Sequence, residues 1–399
     1  VRVLFLPHRL PYAPNRGDRA RGYQFARLLA TRTELHVAAL VHDDFEQEQA
    51  DRVRALGAAS VTTFRVPYTG NYIRGAARLL GTRPLTHSLL DSPAVMPTLT
   101  RLVETSRPDV LLTFCSSMAR FAMTPPLDAL PLVIDMIDVD SVKWHLLSQT
   151  ARWPMNWVFR REERYLGAFE RRAALHAEET LVVNEREQAA LLALAPEAKV
   201  TVMKVGVDLH DLQPTTPPVS APRVVFCGVM NYTPNVEGVQ WFVREVWPLV
   251  RARRHDAQFF VVGSQPADAI RRLHSPLTGV VVTGTVPDVR PYLWDASVGV
   301  APLKTARGVQ NKVLESVAAG LPSVVTSPVM EGLPAEVSSA CRVADSANDF
   351  ADALLAFLAM SGPDRRALAA TANLGALSWE SQTAPLYGVL ENAARHHKS

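Results

Sequence analysis

A chain of 399 residues with 48% hydrophobic content is long for one core and has apolar material enough for two. Its formal net charge of +3 supplies no bulk electrostatic drive toward nucleic acid, so no nucleic-acid partner is expected. Cys115, Cys227 and Cys341 lie far apart in or beside apolar runs, which is neither a zinc pattern nor a disulfide framework, and they read as buried thiols of a reducing cytoplasm.

The first run, VRVLFLP, is one strand long before charged and proline-rich sequence interrupts it, so neither a signal peptide nor a spanning helix is expected there. Apolar runs at 2–6, 35–41, 61–66, 110–114, 132–138, 180–183 and 200–207 alternate with helical patterns and predict a doubly wound α/β domain over 1–207. Residues 208–222, DLHDLQPTTPPVSAP, read as an interdomain linker. A second series, at 224–227, 259–263, 280–283, 298–301, 323–326 and 341–344, predicts another Rossmann-like domain over 223–377, and 378–395 reads as a last helix.

Open parallel sheets bind ligands beyond the carboxyl ends of their strands, so the residues there carry the information. After the first strand, Gly17 stands at a helix mouth, with Asp18 placed to cap the helix that carries Arg19 and Arg21. A plain capped helix is the competing reading. No G-x-G-x-x-G follows the first strand of either domain, which counts against hydride transfer.

The fifth run ends in Asp135, Asp138 and Asp140. Continued extension would put Asp138 and Asp140 on one side, with Ser141 starting the next helix. Asp140 suits a cap, or a partner for Lys143, better than Asp138 does. No histidine or cysteine stands at ligand spacing nearby, so no metal is expected. His8 and His145 read as local hydrogen-bonding residues. The aromatic and basic segment 144–172 and the loop 68–83 admit two readings, an anionic membrane surface or an ordinary amphipathic cover for the sheet.

In the second domain Gly228 ends the first strand, Thr233 or Asn235 is placed to cap, and Pro234 suits the first turn. Gly263 and the turn 284–288 follow the next two strands; Asp288 either meets a base edge or caps the helix of Tyr292 and Trp294. Residues 296–326 then read as strand, loop, helix and strand. Gly308 opens that helix, and Val309, Val313 and Val317 fall four apart. Lys312 sits near its start, where the macrodipole disfavours a cation by roughly 0.3–1 kcal/mol. Glu315 in this order returns only about 0.2–0.5 kcal/mol. A bound phosphate would offset Lys312 better and leave Glu315 free to accept from the paired hydroxyls of a ribose, while a solvated surface pair remains an equal reading.

Taken in order, FCGVMNYTPNVEGVQWF, VVGSQP, VTGTVPDVRPYLWDASVGVAPL and GVQNKVLESVAAGLPSVV resemble the donor-binding half of retaining glycosyltransferases of family 4, over nearly all of 223–330. RGDRARGY and DMIDVDS are similar to a bacterial subgroup found in exosortase-associated exopolysaccharide loci. The resemblance implies an α/β GT-B fold, two Rossmann-like doubly wound domains facing a cleft, with the last helix crossing back onto the first. It implies a donor-side set of Gly17, Arg19, Gly228, Asn231, Gly263, Val286, Gly308, Asn311, Lys312 and Glu315, in which Glu315 takes the ribose, Lys312 the diphosphate and the turn at Val286 the base. Asp138, or Asp135 as second choice, falls near the anomeric carbon. Arg307 stands where the family often carries a sugar-contacting glutamate.

The activity implied is transfer of a hexose from a nucleotide diphosphate sugar to a glycan or lipid-linked acceptor, with retention, no cofactor and no metal, in the cytoplasm or at the inner face of the membrane. A nucleotide-sugar epimerase and a non-catalytic sugar-nucleotide-binding component of a polysaccharide assembly are the rivals.

Overall fold

The computed structural model describes residues 1–12, 17–77, 79–215, 217–306 and 309–396, the side chains at 18, 150 and 396 excepted. The chain divides into two units, Val1–Gly206 with Gln382–Ser399, and Val207–Ser381. Unit 1 holds β1 (Arg2–Pro7), β2 (Glu34–Val41), β3 (Ser60–Arg65), β4 (Val110–Phe114), β5 (Leu132–Ile137), β6 (Glu179–Val182) and β7 (Val200–Val202). All are parallel, in the order 3-2-1-4-5-6-7. Unit 2 repeats the plan with β8 (Arg223–Cys227), β9 (Gln258–Val262), β10 (Val280–Gly284), β11 (Val298–Ala301), β12 (Ser323–Val325) and β13 (Cys341–Val343), in the order 10-9-8-11-12-13. In each sheet the strand order reverses beside the first strand, and that reversal is where a doubly wound sheet opens a crevice.

Side-chain alternation explains the layering. Val3 and Phe5 of β1 enter one buried cluster while Leu4 and Leu6 enter another on the opposite face. In β8, Val224 and Phe226 face one core, Val225 and Cys227 the other. Strands covered on both faces read as unbroken apolar runs, which is why the runs were visible in the sequence.

Three local readings change. Residues 68–77, expected as loop, form the helix Tyr68–Ala77. The segment read as a linker lies on unit 2: Leu212 is buried there, the Trp294 indole donates to its carbonyl (2.9 Å), and Arg365 donates to the Val219 carbonyl (2.6 Å). Its prolines removed backbone donors without removing packing. The helix that begins at Gly17 already contains Asp18, so Asp18 is not its leading cap.

The last helix, Trp379–His396, embeds Leu386, Leu390, Ala393 and Ala394 in the same cluster as Val3, Phe5 and Phe25. Leu390→Ala is expected to cost about 2–5 kcal/mol by leaving a cavity. Hydrogen exchange read by peptide should show protection falling in β1 and β4 with β8 unchanged.

Candidate functional site

In unit 2 three strand-end turns are joined in series. The Gly228 amide donates to the Val262 carbonyl (3.0 Å), the Gly263 amide to the Gly284 carbonyl (3.3 Å), and the Met230 amide to the Ser264 carbonyl (2.8 Å). Gly263 has φ +151, and a Cβ there would stand 1.7 Å from the Gly228 carbonyl oxygen, so no side chain fits. Gly228 lies against Asn235 less tightly, and the Asn235 Nδ2 would be 2.8 Å from a Cβ at 228. The crevice floor is thus bare backbone.

The helix Asn311–Ala318 follows β11 across the strand reversal. It starts three residues later than the apolar spacing predicts, and Gly308, with Arg307, lies outside the described residues. Val309 packs with the cluster containing Leu314 and Ala318, whereas Val313 and Val317 face the other core, so the three valines do not share a face. A Cβ on Gly299 would meet Ser316 at 2.8 Å, so glycine there lets the helix lie close on β11. Gln310 precedes the helix without a side-chain cap, and Asn311 and Lys312 occupy the end at which a helix lacks intrahelical acceptors for its amides.

Lys312 sits in that first turn. Its Nζ donates to Asn235 Oδ1 (2.6 Å) and stands 4.6 Å from the Phe226 ring centre. Asn235 Nδ2 donates in turn to the Val229 carbonyl (2.9 Å). Burial pushes Lys312 down to about 8, against the opposing pull of Cys227 and Glu315. Glu315 keeps some surface open to solvent, but atoms crowd its carboxyl group, and this desolvation pushes it up to about 7 while Lys312 pulls it down. Among the described residues its carboxyl has no hydrogen-bond or ion-pair partner. The buried Cys227 thiol beside them is pushed up to about 12, first by burial, then by the Glu315 charge.

The other residues singled out in unit 2 have local partners. Neither Thr233 nor Asn235 caps the helix Thr233–Trp241, because the Asn235 amide turns back to Val229 and Lys312. Asn231 is exposed and donates to Gln265 Oε1 (2.8 Å). Val286 packs on the core of unit 2. Asp288 takes the local option: it accepts from the Arg290 amide (2.9 Å) and pairs with the Arg290 guanidinium (2.8 Å), which holds it below the usual carboxylate range. Asn235 itself was visible only as a possible cap; its pairing with Lys312 spans 77 positions and leaves no local trace.

Unit 1 gathers a second group at its own strand reversal. His8 follows β1 and stacks on Phe114, and its Nδ1 lies 3.3 Å from Cys115 Sγ. Cys115, the residue after β4, and Ile137, the last of β5, adopt φ +71 and +64. For β-branched Ile137 this conformation is strained, and such strain persists only where the surroundings enforce it. The turn at Ile137 breaks the alternation expected beyond Asp135, so Asp138 and Asp140 do not share a strand face; Asp140 is instead the first residue of the helix Asp140–Thr150, ahead of Ser141.

Asp135 is wholly buried and bound by Arg21 through two contacts, 2.6 and 3.1 Å. Arg21 also donates to the Met203 carbonyl (2.8 Å). Asp138 is the exposed member of the trio; local desolvation, then the charges of Glu187 and Asp140, push it up to about 6. Glu170 accepts from the Ser141 amide (3.3 Å), and burial pushes it up to about 8. Arg19, expected on the donor side, is buried and holds Glu46 (2.5 Å) and the Tyr12 hydroxyl (2.7 Å). The helix carrying it starts at Gly17. His145 pairs with Glu163 (2.8 Å). Among the described residues no three histidine, cysteine or acidic side chains are placed to hold a metal ion.

Residues 221–360 match the family model described as glycosyl transferases group 1. No curated protein matches the chain. Among solved structures it is similar to a sucrose-phosphate synthase from Thermosynechococcus elongatus (TM-score 0.64, 15% identity, 99% of each chain covered). It is likewise similar to WaaG, a glycosyltransferase involved in lipopolysaccharide biosynthesis (0.59, 17% identity, 100% of each chain). A third is Anabaena Alr3699/HepE in complex with UDP and glucose (0.60, 13% identity, 98% of this chain and 99% of that one). The fold is therefore α/β with two parallel-sheet Rossmann-like domains of the GT-B glycosyltransferase kind.

The Glu315 carboxyl gives the ligand-free unit a pH signature. A folded pKa near 7 against an ordinary 4.5 contributes stability that is complete below 4.5 and is lost as pH rises through about 7. Lys312 is protonated throughout that window and adds no slope. Melting curves of Glu315→Gln should therefore lose this part of the decline between pH 4.5 and 7 that the wild type shows.

Proposed function

We propose that this chain is a retaining, metal-independent glycosyltransferase. It moves a hexose from a nucleotide diphosphate sugar to an acceptor hydroxyl on a glycan or lipid-linked intermediate of bacterial exopolysaccharide synthesis, on the cytoplasmic side. The observation that carries this reading is a Lys312 ammonium held by Asn235 one turn from a Glu315 carboxyl that has no hydrogen-bond or ion-pair partner among the described residues, on one short helix by a glycine-floored strand reversal, inside the stretch that matches group 1 glycosyl transferases.

In this reading the diphosphate lies against the bare turn at Gly228 and Gly263, meets the first amides of the helix and takes the Lys312 ammonium. These groups are fixed before the reaction, so they stabilise leaving-group charge without reorganisation. Asn235 holds the ammonium toward that place. Glu315 accepts from the two ribose hydroxyls, which satisfies a carboxyl that otherwise sits desolvated and alone. The turn at Val286 borders the base. Asp138 is assigned to the neighbourhood of the anomeric carbon in preference to Asp135, because Asp135 is committed to Arg21. The diphosphate itself helps to deprotonate the acceptor, so no protein nucleophile is invoked.

The two pKa values make donor binding depend on pH in a defined direction. Affinity for the donor should be greatest between about pH 7 and 8, falling below as Glu315 takes up a proton and above as Lys312 loses one. Calorimetric titration with nucleotide diphosphate sugars checks this, and Lys312→Arg should extend the alkaline side.

Lys312→Ala and Glu315→Ala should each lose most transfer to a membrane-lipid extract while melting as folded proteins. Wild-type turnover in both would sink the assignment. Conversion of a nucleotide sugar without any acceptor would indicate an epimerase instead, and donor binding with no transfer to any extract would indicate a non-catalytic role.

A further inference from the structure

The large exposed apolar side chains of unit 1 are concentrated in two stretches. Tyr72, Ile73 and Leu80 (93% exposed) lie on the helix Tyr68–Ala77 and the turn after it; Trp153 (82% exposed), Met155 and Trp157 lie at and just before the start of the helix Met155–His176. The stretches are neighbours, because Leu79, Leu80, Trp157, Arg160, Arg164 and Tyr165 line one pocket of about 310 Å³.

This surface stands on a fixed base. Arg161 donates to the carbonyls of Leu79 (2.5 Å), Gly81 (2.5 Å) and Arg83 (2.9 Å). Glu162, the next residue, accepts from the Leu85 and Thr86 amides (2.7 and 2.8 Å). Leu80 is therefore presented to solvent by a turn whose carbonyls are bound from beneath. Holding an aliphatic side chain in water gains nothing for the fold alone.

The charge is one-sided. Residues 68–83 and 150–161 contain no aspartate or glutamate, and of the two acids that follow, Glu162 is buried and Glu163 is paired with His145. Arg152, Arg160 and Arg164 are exposed and have no carboxylate partner among the described residues, and Arg164 leans over the Tyr165 ring at 5.8 Å. Arg83, by contrast, is paired with Asp91 (3.0 Å). Tryptophan and tyrosine interleaved with free guanidinium groups match a boundary that is apolar on one side and negatively charged on the other. A protein partner would have to answer these unpaired cations with carboxylates and bury several aromatics at once, whereas an anionic bilayer supplies both conditions everywhere.

We propose that this face of unit 1 seats on an anionic phospholipid membrane, with a headgroup phosphate between Arg160 and Arg164 and with Ile73, Leu80 and Trp153 among the upper acyl chains. Guanidinium forks bind phosphate oxygens in pairs, and the pocket is large enough for a headgroup. The inference does not rest on the donor reading, since neither Lys312 nor Glu315 takes part.

Co-sedimentation of the full chain with phosphatidylcholine vesicles, with and without phosphatidylglycerol, tests it in the absence of any nucleotide sugar. The wild type should bind only the anionic vesicles, more weakly as salt is raised. The double variant Arg160→Gln, Arg164→Gln should lose about tenfold or more in partitioning, and Leu80→Ser with Trp153→Ser a comparable amount, both with unchanged circular dichroism and melting. Equal binding to the two vesicle types, no binding to either, or undiminished binding by the arginine variant overturns the proposal. So does concentration-dependent self-association of the wild type that Leu80→Ser with Trp153→Ser abolishes, which would make a second copy the occupant.

Discussion

An ammonium group at the positive end of a helix, partly taken from water and answered by one amide oxygen and one aromatic face, is the interaction around which unit 2 is arranged. Among the described residues no carboxylate forms an ion pair with it, although the Glu315 charge acts on it from one turn away. Keeping it there requires Asn235 to give up a capping role, Gly228 to leave room for Asn235, and Gly263 to lie against Gly228. Those demands run from β8 to β9 and β10 through backbone hydrogen bonds, so the turns form one surface rather than three loops.

Unit 1 shows the opposite treatment of charge. Arg21 with Asp135, and Arg19 with Glu46, are buried and paired at short distances, with spare donors spent on backbone carbonyls or a hydroxyl. Buried pairs of this kind add little net stability, but removing one member is severe, because the survivor is left charged and desolvated. They tie the first helix to β5 and to the residues after β2. The contrast separates the acids of DMIDVDS: Asp135 is buried against Arg21 and Asp138 is open, although in sequence they differ only by position.

Both sheets were legible because a parallel strand covered on two faces has to be apolar throughout, and thirteen runs separated by helical patterns have few alternatives. The crossover with Lys312 and Glu315 was legible because its charges contradict the helix dipole locally. Contacts that join distant positions were hidden. Asn235 with Lys312, Arg21 with Asp135 and Arg19 with Glu46 are each consistent with an ordinary cap or a solvated side chain when read alone. The late start of the helix at Asn311 was missed for another reason: Val309 is apolar and correctly spaced, yet it packs with a different cluster from Val313.

The last helix gives unit 1 a non-contiguous sequence. Leu386 and Leu390 belong to the cluster of β1, yet they are encoded after the whole of unit 2. During synthesis residues 1–206 emerge with that part of their core open, and it can be closed only after the second unit has been made. The order of completion is thus reversed relative to the order of translation, and the waiting half is the one a chaperone would have reason to hold.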